Sequence, residues 1–153
     1  MLEQNIETII KTEISTALTE NHINTIKIFG CWDVDSDKCT EEKEYDGMLY
    51  VKAHPPYYDT PTIPDGIIQV DLALTIRADI DINGATYMDI SDIISRTLYN
   101  WQKSILNAQQ TFNIENEFQC TGFRLSDSDC GIDKENCTWD YVRSFDLYGV
   151  ILY

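Results

Sequence analysis

Basic residues are scarce in this chain, and so are histidines, prolines outside one segment, and long apolar runs. Lysine and arginine number 11 against 26 acids, and the net charge is -15. A close, salt-sensitive grip on phosphates is therefore disfavoured, because nucleic acid would be repelled; DNA passing nearby without being held is compatible with this charge. No apolar stretch approaches the ~20 residues that cross a bilayer, and no run near the start is basic and then apolar as a secretory signal requires. The expectation is a soluble protein made in a cytosol. His22 and His54 are the only histidines. Neither has a serine or cysteine nucleophile in a glycine-bearing elbow nearby, and there is no glycine-rich phosphate loop, no HExxH and no GxGxxG. Catalytic residues, cofactors and metals are accordingly not expected.

Cysteine is present at Cys31, Cys39, Cys120, Cys130 and Cys137. The odd number and the lack of a CxxC pair argue against a disulfide framework. A zinc site from Cys31, Cys39, Cys130 and Cys137 would need two loops to meet, with spacings looser than those of structural zinc pairs.

What the chain does have is a long two-faced stretch, Gly66 to Gly84. Ile68, Val70, Leu72, Leu74, Ile76, Ala78, Ile80 and Ile82 fall on one parity, and Gln69, Asp71, Thr75, Arg77, Asp79 and Asp81 on the other. This predicts a long strand with one dry and one wet face, whose register is fixed because a slip of one residue would exchange the faces. At roughly 1.5 to 3 kcal/mol per buried apolar side chain, it anchors much of the core.

The remaining elements follow from periodicity. Leu2, Ile6, Ile9, Ile10, Ile14, Ala17 and Leu18 draw an apolar helical stripe from Leu2 to about Glu20, with Glu3, Glu7, Lys11 and Glu20 outside it. His22 follows as a capping or solvated group at the helix end. Thr25 to Trp32 and Gly47 to His54 read as strands. Thr86 with Asp89 opens a second helix in the manner of a capping box, and Ile90, Ile93, Ile94, Leu98, Trp101 and Ile105 form its stripe to about Asn107. Glu117 to Leu125 is a strand with a bulge near Phe123, and Thr138 to Tyr153 is a strand with apolar residues on both parities toward its end, as expected of a strand that is central or covered on its second face. Helix, strand, strand, long strand, helix, hairpin predicts a single α+β domain over 1–153. It has one mixed or antiparallel sheet of about five strands with two amphipathic helices packed on it. Long loops are expected at 33–46, 55–65 and 126–137.

Two segments imitate a calcium loop. Asp33, Asp35 and Asp37 with Glu44 lack the central glycine, where Lys38 stands. Asp79, Asp81, Asn83 and Gly84 end on Ile90 where a glutamate is needed. A solvated acidic loop accounts for the first, and the wet parity of a strand followed by an Asn-Gly turn accounts for the second. Every proline lies in HPPYYDTPTIPDG, a stiff extended connection in which Pro55, Pro56, Tyr57, Tyr58, Asp59 and Pro61 form a candidate interface. Such an arm loses little entropy on docking, and tyrosine is a favoured anchor. The other reading folds it back onto its own domain with both rings at the edge of the core.

The amphipathic first helix, a strand followed by an acidic loop, the VDLALTIRADID strand running into the helix that ends LYNWQ, and a closing hairpin ending VILY together resemble the tail terminator (tail completion) proteins of long-tailed bacteriophages. The likeness covers nearly the whole chain and is one of layout, without a diagnostic motif. It implies a virion protein of the tail and neck, assembled in the host cytoplasm. The subunit would be weakly associated when free and would form a hexameric ring on the tail tube protein, presenting a surface to a head-side connector or stopper. Acidic loops, among them Asp33, Asp35, Asp37, Glu41, Glu42, Asp127, Asp129 and Asp133, would line a channel through which DNA slides without being bound. Another phage neck or baseplate protein, or a cytosolic calcium- or partner-binding module, are the alternative readings.

Overall fold

The computed structural model of the chain describes residues 1–32, 45–58, 65–107 and 111–153. Its elements are α1 (Leu2–Glu20), β1 (Ile26–Gly30), β2 (Gly47–Ala53), β3 (Asp65–Arg77), α2 (Ala85–Leu106), β4 (Phe118–Asp133) and β5 (Thr138–Ile151). The strands form one five-stranded sheet in the order β1-β2-β3-β5-β4. β1 pairs with β2 in parallel and every other pairing is antiparallel, so the sheet is mixed and the α+β expectation holds.

Both helices lie on one side of the sheet. α1 buries Leu2, Ile6, Ile10, Ile14 and Leu18 over β1 and β2, and α2 buries Tyr87, Ile90, Ile94, Leu98, Trp101 and Ile105 on the β4 side. Beneath them lie Leu49 and Val51, the even residues Ile68 to Ile76 of β3, and Tyr141, Phe145 and Leu147 of β5. Trp101, Phe112, Phe145 and Phe123 continue this core as touching rings with centroids 5.0 to 6.5 Å apart. Phe112, in the connection after α2, is fully buried although no periodicity marks it.

Glu7 is a correction to the helical stripe: expected outside it, the residue is 1% exposed. Oε1 accepts the Trp32 N–H at 2.9 Å and Oε2 the Ala53 N–H at 2.9 Å, so the carboxylate closes the ends of β1 and β2. Gly30 makes this approach possible, because a Cβ there would collide with the Glu7 carboxylate. A buried charge satisfied by backbone donors is tolerated where an unsatisfied one would not be.

The long strand stops at Arg77, short of the predicted end. Its partner β5 begins at Thr138, and beyond the bond from Ala78 N–H to the Cys137 carbonyl no strand among the described residues continues the ladder. Ile80 and Ile82, expected on the dry face, are 46% and 78% exposed in the turn that follows. α2 also starts differently. Gly84 is its N-cap at φ +67°, a left-handed value that suits glycine, and Trp139 stands where a Cβ would be 3.1 Å away. The Asp81 carboxylate, three residues earlier, accepts the N–H groups of Thr86 (3.2 Å) and Tyr87 (2.8 Å), replacing the predicted Thr86–Asp89 capping box.

The largest correction concerns 126–137. This segment is not a loop: β4 continues to Asp133 in register with β5, leaving only a tight turn before Thr138. Register shifts at Cys120/Gly122 and Leu125/Ser128 absorb extra residues, the first near the expected bulge. Residues 126–132 are all exposed, so no apolar alternation marked them; hydrogen bonds to β5 define the strand. β5 is central in the sheet, between β3 and β4, which is one of the two expectations for it. Its even parity looks away from the helices, with Val142 43% exposed and Tyr148 and Val150 half-buried.

Candidate functional site

With both helices on one side, no described helix covers the opposite face of the sheet. Across it run Phe29 of β1, Tyr50 of β2, Asp71 of β3, and Ser144, Asp146 and Tyr148 of β5. Phe29 and Tyr50 touch at 5.2 Å between centroids. The Tyr50 phenol is pushed up to about 12, first by its hydrogen bond with Cys31 and then by burial.

Asp71 is the polar centre of this face. Oδ2 lies 2.6 Å from His54 Nε2, while Oδ1 accepts Ser144 Oγ–H at 2.7 Å and the Gln69 amide at 3.1 Å. Burial pushes the carboxyl up, but the hydrogen bonds from His54, Ser144 and Gln69 outweigh it, and Asp71 sits below the ordinary carboxylate value. Asp146 moves the other way: burial raises it, against the nearby Arg124, with Asp71 adding to the rise. Serine, aspartate and histidine meet here in the wrong order for nucleophilic catalysis. The histidine must stand between serine and carboxylate to take the hydroxyl proton, whereas here the carboxylate stands between the other two. The arrangement is a clasp that joins β3 to β5 and to His54, the residue at which the proline segment leaves β2. Sequence spacing carries no sign of it, because only the pairing register of three strands brings these groups together.

The proline and tyrosine segment is partly folded back. Tyr57 forms a two-way backbone bridge with Ile67 of β3, at 3.0 and 2.8 Å, while the rings of Tyr57 and Tyr58 remain 47% and 52% exposed. Pro55 is exposed and Pro56 half-buried; Asp59 and Pro61 lie outside the described residues. At the same end of the sheet stand Met1, Trp32, Leu152 and Tyr153, all exposed. The Tyr153 phenol is raised by burial first, then by Glu3, Tyr58 and Glu117, which places both tyrosines in one neighbourhood.

The acidic candidates divide. Asp33, Asp35, Asp37, Glu41 and Glu42 lie outside the described residues. Asp127, Asp129 and Asp133 are on the edge strand β4, where the sequence reading expected a loop. Asp133 closes the hairpin turn, accepting the N–H groups of Glu135 (3.1 Å) and Asn136 (3.2 Å). It also accepts the Asn136 amide at 2.8 Å, and the bonds from Asn136 hold its carboxyl below the usual range. Asp129, Asp133 and Asp140 border a depression of about 240 Å³ around Gly131.

The Asp33 to Glu44 pattern lies outside the described residues, and the other two gain no site among those described. Asp81 holds the start of α2, so the Asp79–Gly84 pattern lacks a free central ligand. Cys31 follows the edge strand β1 and Cys130 lies on the opposite edge strand β4, four strand spacings of ~4.8 Å away; Cys39 is outside the described residues. Among the described residues no group of three or more His, Cys, Asp or Glu is placed to hold a metal ion, and no helix is long and apolar enough to cross a membrane. No protein-family model matches the chain, and no curated protein matches it.

Proposed function

We propose that the chain is a virion structural subunit, a tail terminator that forms a hexameric ring on the end of the tail tube and joins it to the head-side connector. The observation that carries this reading is the pre-ordered aromatic end of the sheet. The Tyr57 backbone is locked to Ile67, yet its ring and that of Tyr58 face outward beside Tyr153. Anchors already fixed in place lose little entropy when a neighbour docks. The layout of a mixed sheet carrying both helices on one side, with no described helix on the other face, suits contacts to several neighbours at once. Asp129, Asp133 and Asp140, in a chain of net charge -15, suit a surface past which DNA slides without adhering.

The test is electron microscopy of purified protein mixed with tail tube subunits. Expected are rings at tube ends and arrested tube growth, with no change on adding EDTA. Tubes that grow unaffected and carry no ring overturn the reading. A melting temperature that falls on chelation would favour the calcium-binding alternative.

A further inference from the structure

Asn83–Gly84, in the turn before α2, is the one asparagine-glycine step in the chain. At such a step the backbone nitrogen has the freest approach to the asparagine side chain, because glycine puts no Cβ in the way. Asn83 is exposed and Gly84 is buried.

The turn is pinned in three ways. Gly84 N–H donates to the Asp81 carbonyl at 3.0 Å, the same carbonyl accepts Trp139 Nε1–H at 2.8 Å, and the Asp81 carboxylate holds the N–H groups of Thr86 and Tyr87. Neither Ile82 nor Asn83 has a positive φ, so the hydrogen-bonded turn from Asp81 to Gly84 is type I with Asn83 in its third place. There ψ is about 0°, which sets Cβ and the Gly84 nitrogen roughly 120° apart about the Cα–C bond. An imide ring between side chain and backbone needs the two nearly eclipsed, so the closed turn withholds that reaction.

We propose that Asn83 is a site of spontaneous deamidation gated by the α2 cap, with the reaction proceeding only when the Asp81 cap opens and the Asn83 backbone rotates. In the open turn the Gly84 nitrogen bonds to Asn83 Cγ, the Cγ–Nδ2 bond breaks, and the Gly84 proton leaves with the amide as ammonia. Water then opens the cyclic imide. Breaking the new bond gives aspartate; breaking the original main-chain bond gives isoaspartate, whose backbone is longer by a methylene. That longer link displaces Gly84 from its left-handed place, where even a Cβ would stand 3.1 Å from the Trp139 ring. The original cap does not re-form, and the change runs one way.

Peptide mapping by mass spectrometry of the full chain, aged at neutral pH, tests this on wild type, Asp81→Ala, Asp81→Asn and Glu7→Gln. Each rate at Asn83 is divided by that of the same variant unfolded in guanidinium chloride, which removes direct effects of charge on the chemistry. Folded wild type is expected to convert about ten-fold or more slowly than unfolded. Asp81→Ala should convert roughly 2- to 30-fold faster than wild type, the factor by which losing a side-chain cap shifts an opening equilibrium. Asp81→Asn keeps an acceptor oxygen and should fall between them. Glu7→Gln loosens the fold at the opposite end of β2 and should leave the rate near that of wild type. Equal rates in folded and unfolded wild type overturn the gate, as does equal protection in wild type and Asp81→Ala. Equal acceleration by Glu7→Gln and Asp81→Ala assigns the reaction to global unfolding and overturns it too. In the isoaspartate form, hydrogen exchange at Thr86 and Tyr87 should be faster than in fresh protein; unchanged exchange there overturns the one-way step.

Discussion

Glu7 and Asp71 are both carboxylates held by donors, but they differ in what a substitution does. Glu7 faces two backbone N–H groups in a sealed site. Glu7→Gln turns one acceptor into an amide donor aimed at another donor, and stability should fall by about 1 to 3 kcal/mol, read from the urea midpoint. Asp71 is more open and its effect is one of pH. Its folded-state pKa is lowered, so the ionised form adds stability above the unfolded carboxylate value, and this is lost as pH falls through the folded one. Asp71→Asn should therefore flatten the acid limb of the melting-temperature profile and leave its shape near neutral pH unchanged. A profile parallel to wild type at all pH values would remove Asp71 from the clasp.

The elements are defined by different forces, and this sets their local stability. α2 begins at Gly84 because Asp81 supplies the acceptor for its first free N–H groups. Asp81→Ala should cost about 0.5 to 2 kcal/mol, measured by thermal or urea unfolding. β3 and β5 are central and paired on both sides. The distal half of β4 is exposed, and among the described strands only β5 pairs with it. Hydrogen exchange should be slowest in β3 and β5 and markedly faster across 126–132. Uniform protection along β4 would show that something further covers this edge.

The described residues are arranged one-sidedly, with helices and core on one face of the sheet and no described helix on the other, which has an aromatic end. Tyr58→Ser should change stability by no more than about 0.5 kcal/mol, since the ring is half exposed, yet it should reduce ring formation on tubes by electron microscopy. A variant that forms rings as wild type does would remove this tyrosine from the docking surface. The sequence by itself determined the two helical stripes, the dry and wet faces of Ile68 to Arg77 and hence the α+β class, because burial on one side imposes a period of 3.6 or two on side chains. It was silent on Glu7 as a core residue, on the strand from Ser126 to Asp133 and on the clasp around Asp71. Each of these depends on which backbone groups or side chains another strand brings alongside, and that pairing is settled only when the five strands take their register.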